Sequence, residues 1–89
     1  MDKRQKVYEL IDDERNFQDE TAEKWNHKGV PSLEAELLML EEYILKTRSQ
    51  WCGSSDKSLM LKELRKVLAI GVRAFENHTI DPLEYKREK

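Results

Sequence analysis

Leu33, Leu37, Leu40, Ile44 and Trp51 fall along one side of a helix, and Met60, Leu64, Val67, Gly71 and Phe75 repeat the pattern after the break "CGSSD" at residues 52–56. Apolar positions at three-and-four spacing mark an amphipathic helix. Two such helices joined by so short a turn must double back on each other. The pattern therefore predicts an antiparallel hairpin over residues 32–51 and 57–78. Leu38 and Leu45 widen the first stripe, and Leu61, Leu68 and Val72 the second. Stripes of this width touch partners on two sides.

A first helix is expected over residues 3–23, where Val7, Leu10, Ile11, Glu14 and Phe17 make a narrower stripe among dense charge. "HKGVPS", residues 27–32, breaks the chain with Gly29 and Pro31. Ser32 then reads as an N-cap, and Glu34 and Glu36 suit the helix dipole in the first turns. Gly53 reads as a helix stop, with Ser55 or Asp56 capping the next helix. The first helix can cover one side of the hairpin, and a second protomer the other. The expected architecture is all-α: a hairpin plus an N-terminal helix in one domain, residues 1–78, assembled into an oligomeric helical bundle. Residues 79–89, "TIDPLEYKREK", read as a loose charged tail.

Composition narrows the function classes. Charged residues make up 38% of the 89 and net charge is −2 with both signs interleaved, so no long nucleic-acid interface is expected. Cys52 is the only cysteine, which excludes an internal disulfide and disfavours a Cys/His zinc cage. His27 and His78 have no second histidine or cysteine at ligand spacing. "MDKRQKVYEL" reads as the start of an amphipathic helix, not a signal peptide, and no apolar run could span a bilayer. A soluble protein in a reducing cytoplasm is the expectation.

Two sets of side chains could carry chemistry. Magnesium takes oxygen ligands, commonly one or two carboxylates with phosphate oxygens and water. Glu41 and Glu42 lie beside the second stripe and Glu63 opens the third helix; residues 41 and 63 face each other if the turn is centred near residue 52. The second set would hold a phosphorylated ligand. Arg65, Lys66 and Arg73 share the third helix, while Arg15 and Gln18 lie close on one side of the first. Trp25, in the polar stretch "AEKWNHKG", and Tyr8 could stack on a base. Each charged member also reads as an ordinary surface charge or helix-neighbour pair. Gly71, in mid-helix, implies that another backbone or a ligand approaches closely there.

"IDDERNFQDETAEKW", "LLMLEEYILK" and "KELRKVLAIGVRAFENH" together resemble the small phage-encoded members of the MazG-like family over about residues 7–78. The features that carry the resemblance are Glu14, Arg15, Gln18 and Asp19 in the first helix, the pair Glu41–Glu42, and the rhythm from Glu63 to Glu76. The resemblance implies an all-α relative of nucleoside triphosphate pyrophosphohydrolases. That family's metal signature pairs two adjacent glutamates with a third acid three residues on, and a later glutamate with an aspartate three residues after it. Glu41, Glu42 and Glu63 match; Leu45 and Lys66 stand where the other two acids belong. Metal-assisted attack on a triphosphate needs the ion held to polarise phosphate and activate water. With two carboxylates lost, one to a cation, the expectation moves from catalysis to binding.

The sequence thus points to a phage-type protein that binds nucleotides without hydrolysing them, including signalling nucleotides of host defence. Arg15, Gln18, Trp25, Lys66 and Arg73 are its expected ligand contacts. A magnesium-dependent pyrophosphohydrolase using Glu41, Glu42 and Glu63 is the alternative. A third reading is an inhibitor or adaptor that binds a host or phage protein through the charged first helix.

Overall fold

The computed structural model describes residues 2–24, 29–53 and 56–87. Three helices, α1 (Lys3–Lys24), α2 (Leu33–Gly53) and α3 (Lys57–His78), are followed by a 3₁₀ turn at Pro82–Tyr85, with no strand among the described residues. The all-α expectation holds. Each helix start has its own capping acceptor. The backbone N–H of Gln5 donates to Asp2 Oδ1 at 2.9 Å, that of Ala35 to Ser32 Oγ at 3.1 Å, and that of Ser58 to Asp56 Oδ1 at 2.8 Å. These contacts satisfy N–H groups that the first helical turn leaves open. Gly29 has φ of 86°, a left-handed conformation that suits a residue without Cβ and turns the chain towards α2.

α3 is the central helix. α1 and α2 each pack on it and hardly on each other. Among the described residues the buried apolar ones, Val67, Ala69, Ile70 and Ala74, all belong to α3, and two of them are small enough to let neighbouring backbones close in. The hairpin register follows from two contacts. Arg73 meets Glu36, and His78 Nε2 lies 2.9 Å from the Pro31 carbonyl oxygen. A carbonyl only accepts, so Nε2 carries the proton there. Both pairs are centred between residues 54 and 55.

That register leaves Leu33, Leu37 and Ile44 of the α2 stripe about half open to solvent, at the edge of the contact with α3. Glu36, which is 0% exposed, faces α3, and Tyr43 lies on the same line two turns on. Leu37 and Ile44 stand one residue further round, about 100° away, and Leu33 about 60° away, and all three remain about half exposed. Apolar periodicity marks the helix correctly, but the face that meets α3 is set by a buried ion pair. The chain end also departs from expectation. Asp81 Oδ1 accepts the Leu83 N–H at 3.0 Å, and the Tyr85 ring meets Phe75 edge-on at 6.0 Å. These contacts, with Pro82 preset for a helical turn, give residues 82–85 local order where a loose tail was expected.

Candidate ligand cleft

Because α1 and α2 straddle α3 with little contact between them, a cleft runs between the two with α3 as its floor. Its inner part encloses about 380 Å³ and its outer part, towards Gly29–Pro31, about 590 Å³. Gln18, Ala22, Met39 and Arg73 border both parts, so the two are continuous. Volumes of about 300–1,000 Å³ are typical of small-molecule sites.

Three of the residues expected to contact a nucleotide meet here: Gln18 from α1, and Lys66 and Arg73 from α3. Phe17 and Tyr43 add aromatic walls from opposite helices, and Ile70 an apolar floor. In the sequence Phe17 belongs to the α1 stripe, and Tyr43 carries no sign of a site. Their convergence depends on the packing of α1 and α2 on α3, which helical spacing within a single segment does not reveal.

The cations of the cleft are held by carboxylates. Arg73 Nη2 donates to Glu36 Oε1 at 2.8 Å, and Nε is shared between Oε2 at 3.0 Å and Oε1 at 3.1 Å. Met39 Sδ, at 3.3 Å, also accepts from Nη2. Lys66 Nζ donates to Glu63 Oε1 at 3.1 Å, which leaves an ammonium with further donors. Gln18 Nε2 reaches the Lys66 carbonyl oxygen at 3.5 Å, tying α1 to α3 at the rim.

Arg15 does not line the cleft; it braces one wall. Its Nε and Nη2 fork onto Glu76 at 3.2 and 2.9 Å, and Nη2 also lies 3.0 Å from Asp19. The hydrogen bond to Glu76 raises its pKa above the ordinary arginine value; burial opposes this and Asp19 reinforces it. Its Nη1 donates to Gln18 Oε1 at 3.4 Å, so the brace ends on a cleft residue. Beside Arg15, Glu14 Oε1 lies 2.8 Å from Arg65 Nε, yet that N–H is not aimed at the oxygen, so the contact is an ion pair without an aligned hydrogen bond. Trp25 lies outside the described residues, and Tyr8 is exposed on α1 away from the cleft lining.

The three glutamates considered for magnesium are not brought together. Glu41 and Glu42 are exposed on α2, Glu42 lying 4.0 Å from Lys46, whereas Glu63 is paired with Lys66. With the hairpin centred between residues 54 and 55, position 41 is level with 68, five residues or about 7–8 Å along α3 from position 63. No three His, Cys, Asp or Glu side chains converge as a metal site among the described residues. Nor is any described helix long and apolar enough to cross a membrane.

Glu14 and Glu36 are buried carboxylates that pair with α3 arginines at the cleft, a role their positions in the sequence do not announce. Glu36 passes for a first-turn acid suited to the dipole, and Glu14 for a member of the α1 stripe. The available signal was pairing across the hairpin: a turn centred two or three residues later than residue 52 places Glu36 opposite Arg73. Comparison with protein families, curated proteins and solved structures finds no match to the chain.

Proposed function

We propose that this chain binds a nucleotide in the α1–α2 cleft and holds it without hydrolysis. The observation that carries this reading is the convergence of Gln18, Lys66 and Arg73 with the rings of Phe17 and Tyr43 around one concavity. A base can stack on an aromatic wall, where such contacts contribute about 1–3 kcal/mol each. The amide of Gln18 can donate to or accept from a base edge. Lys66 and the edge of Arg73 left free by Glu36 can face phosphate. Since each cation already has a carboxylate neighbour, the ligand's phosphate joins an existing charge network and displaces water, not a partner. The separation of Glu41 and Glu42 from Glu63 favours retention over metal-assisted hydrolysis.

The resemblance to phage MazG-like proteins extends the reading. A phage-encoded protein that retains nucleotides intact can deplete those that signal host defence. The test is to mix the protein with linear and cyclic nucleotides and magnesium, remove free ligand by filtration, then denature what is retained. Intact nucleotide released on denaturation, and lost in Lys66→Ala, is the expected result. Monophosphate and pyrophosphate in the filtrate would establish the hydrolase reading instead. A panel left wholly free and unchanged would remove both and direct attention to a protein partner.

A further inference from the structure

Gln18 borders both the inner and the outer part of the cleft. A carboxamide by itself is an ambiguous reader of a base edge, because turning it end for end exchanges donor and acceptor. A glutamine free to turn satisfies either kind of edge. Gln18 is not free to turn. Its Oε1 accepts from Arg15 Nη1 at 3.4 Å, and its Nε2 donates to the Lys66 carbonyl oxygen at 3.5 Å. A guanidinium only donates and a carbonyl only accepts. The turned amide would set its N–H groups against the guanidinium and its oxygen against the carbonyl. Both contacts would become repulsive at once. Each hydrogen bond is long, but the two together fix the sense of the amide.

Arg15 can impose that orientation because it is itself held. Its side chain is 7% exposed, Nε and Nη2 fork onto Glu76, and Nη2 also meets Asp19. Nη1 is the nitrogen that turns to Gln18. The carboxylates anchor one edge of a rigid planar group and so aim the rest of it. The other partner, the Lys66 carbonyl, belongs to the backbone of the central helix α3.

We infer that Arg15 is a positioning residue: it locks Gln18 so that the cleft accepts one order of donor and acceptor on a base edge and rejects the reverse. This rests on the nucleotide reading proposed above. With one N–H and one lone pair engaged inside the protein, the amide keeps one of each for a ligand, in fixed order. Adenine presents a donor at its 6-amino group beside an acceptor at N1. Hypoxanthine presents an acceptor at its 6-oxo group beside a donor at N1. Sugar, phosphate and ring shape are otherwise alike, so stacking and charge do not separate the two. The locked amide does.

Equilibrium dialysis of the full chain tests this, with circular dichroism to follow folding. The probes are adenosine and inosine, each as the 5′-triphosphate and as the 3′,5′-cyclic monophosphate. In the form it retains, the native chain should favour one base over the other by about fivefold or more. Gln18→Ala and Arg15→Lys should each bring that ratio close to one. Lysine keeps the charge facing Glu76, but its single nitrogen lacks the fork that also reaches Gln18. Glu76→Gln, at a side chain 51% exposed, loosens the same anchor where Arg15→Lys fails to fold, and should lower the ratio likewise. A brace that only stabilised the fold would weaken both bases equally and leave their ratio unchanged. Equal retention of the two bases by the native chain overturns the inference while nucleotide binding stands, and so does a preference that survives Arg15→Lys. Retention of none of the four probes overturns the nucleotide reading and this inference with it.

Discussion

The Glu36 carboxylate has no exposure to solvent, and the Arg73 guanidinium grips it by two nitrogens at 2.8 to 3.1 Å while remaining 19% exposed itself. The pair fixes which face of α2 meets α3, and with it how far the leucine stripe stays open to solvent. Its two members are not equivalent. Arg73→Met strands a buried carboxylate and should cost about 3 kcal/mol or more of stability. Glu36→Leu leaves a guanidinium that can reach water and should cost clearly less. The double substitution replaces the pair by apolar side chains and should recover most of the loss. Urea unfolding of the three variants measures this; equal costs for the two single changes would show that burial asymmetry does not govern the pair.

Arg15 braces α1 against α3 through Glu76, and that hydrogen bond raises its pKa from the already high arginine value. A base whose folded pKa is raised stabilises the fold fully below its unfolded pKa, and that contribution is lost only as pH climbs through the folded value. Here both values lie above the ordinary experimental range. The stability difference between the native chain and Arg15→Met should therefore stay constant from about pH 7 to pH 10, since groups common to both cancel. A difference that shrinks across that window, followed by thermal or urea unfolding, would mean that some other titrating group carries the brace.

Tyr85 and Phe75 meet at 82° between ring planes, and the Lys86 N–H closes the 3₁₀ turn onto the Leu83 carbonyl oxygen at 3.1 Å. Edge-to-face pairs contribute about 0.5–1.5 kcal/mol, enough to order a short exposed turn but not to stabilise the domain. Tyr85→Ala should abolish hydrogen-exchange protection at Lys86 and leave that of α3 around Val67 unchanged. Protection at Lys86 that persists would assign the order of the turn to Asp81 and Pro82 alone.

The extent of the helices was legible in the sequence because it depends on local signals: three-and-four spacing, Ser32 and Asp56 as caps, Gly29 at a positive φ. The faces were less legible. Leu33, Leu37 and Ile44 mark α2 as a helix, but whether they turn to α3 or to solvent depends on the rotation set by Glu36 and Arg73, thirty-seven positions apart. The candidate site shows the same division. Gln18, Lys66 and Arg73 could be picked out as chemically able residues, while Phe17 and Tyr43 joined them only once the three helices were packed. Arg15 was read as a ligand contact because a cation on a polar helix shows no sign of the distant acid it braces against.

Tyr43 and Tyr8 separate the cleft from the rest of the surface. Tyr43 is partly buried in the cleft wall and Lys46 Nζ lies 4.5 Å over its ring, whereas Tyr8 is exposed on α1 and lines none of the cleft. If a base stacks in the cleft, Tyr43→Ala should weaken nucleotide retention by about 1–3 kcal/mol, or about fivefold to a hundredfold or more. Tyr8→Ala should leave it unchanged. Lys66→Ala should weaken it too, and should flatten the dependence of affinity on salt, because one phosphate contact is lost. Tyr43→Phe completes the set: it keeps the ring and removes only the hydroxyl, so retention should survive. Equilibrium dialysis at two ionic strengths reads all four variants together. Equal loss in Tyr43→Ala and Tyr8→Ala, or none in either, would move the binding site out of the cleft.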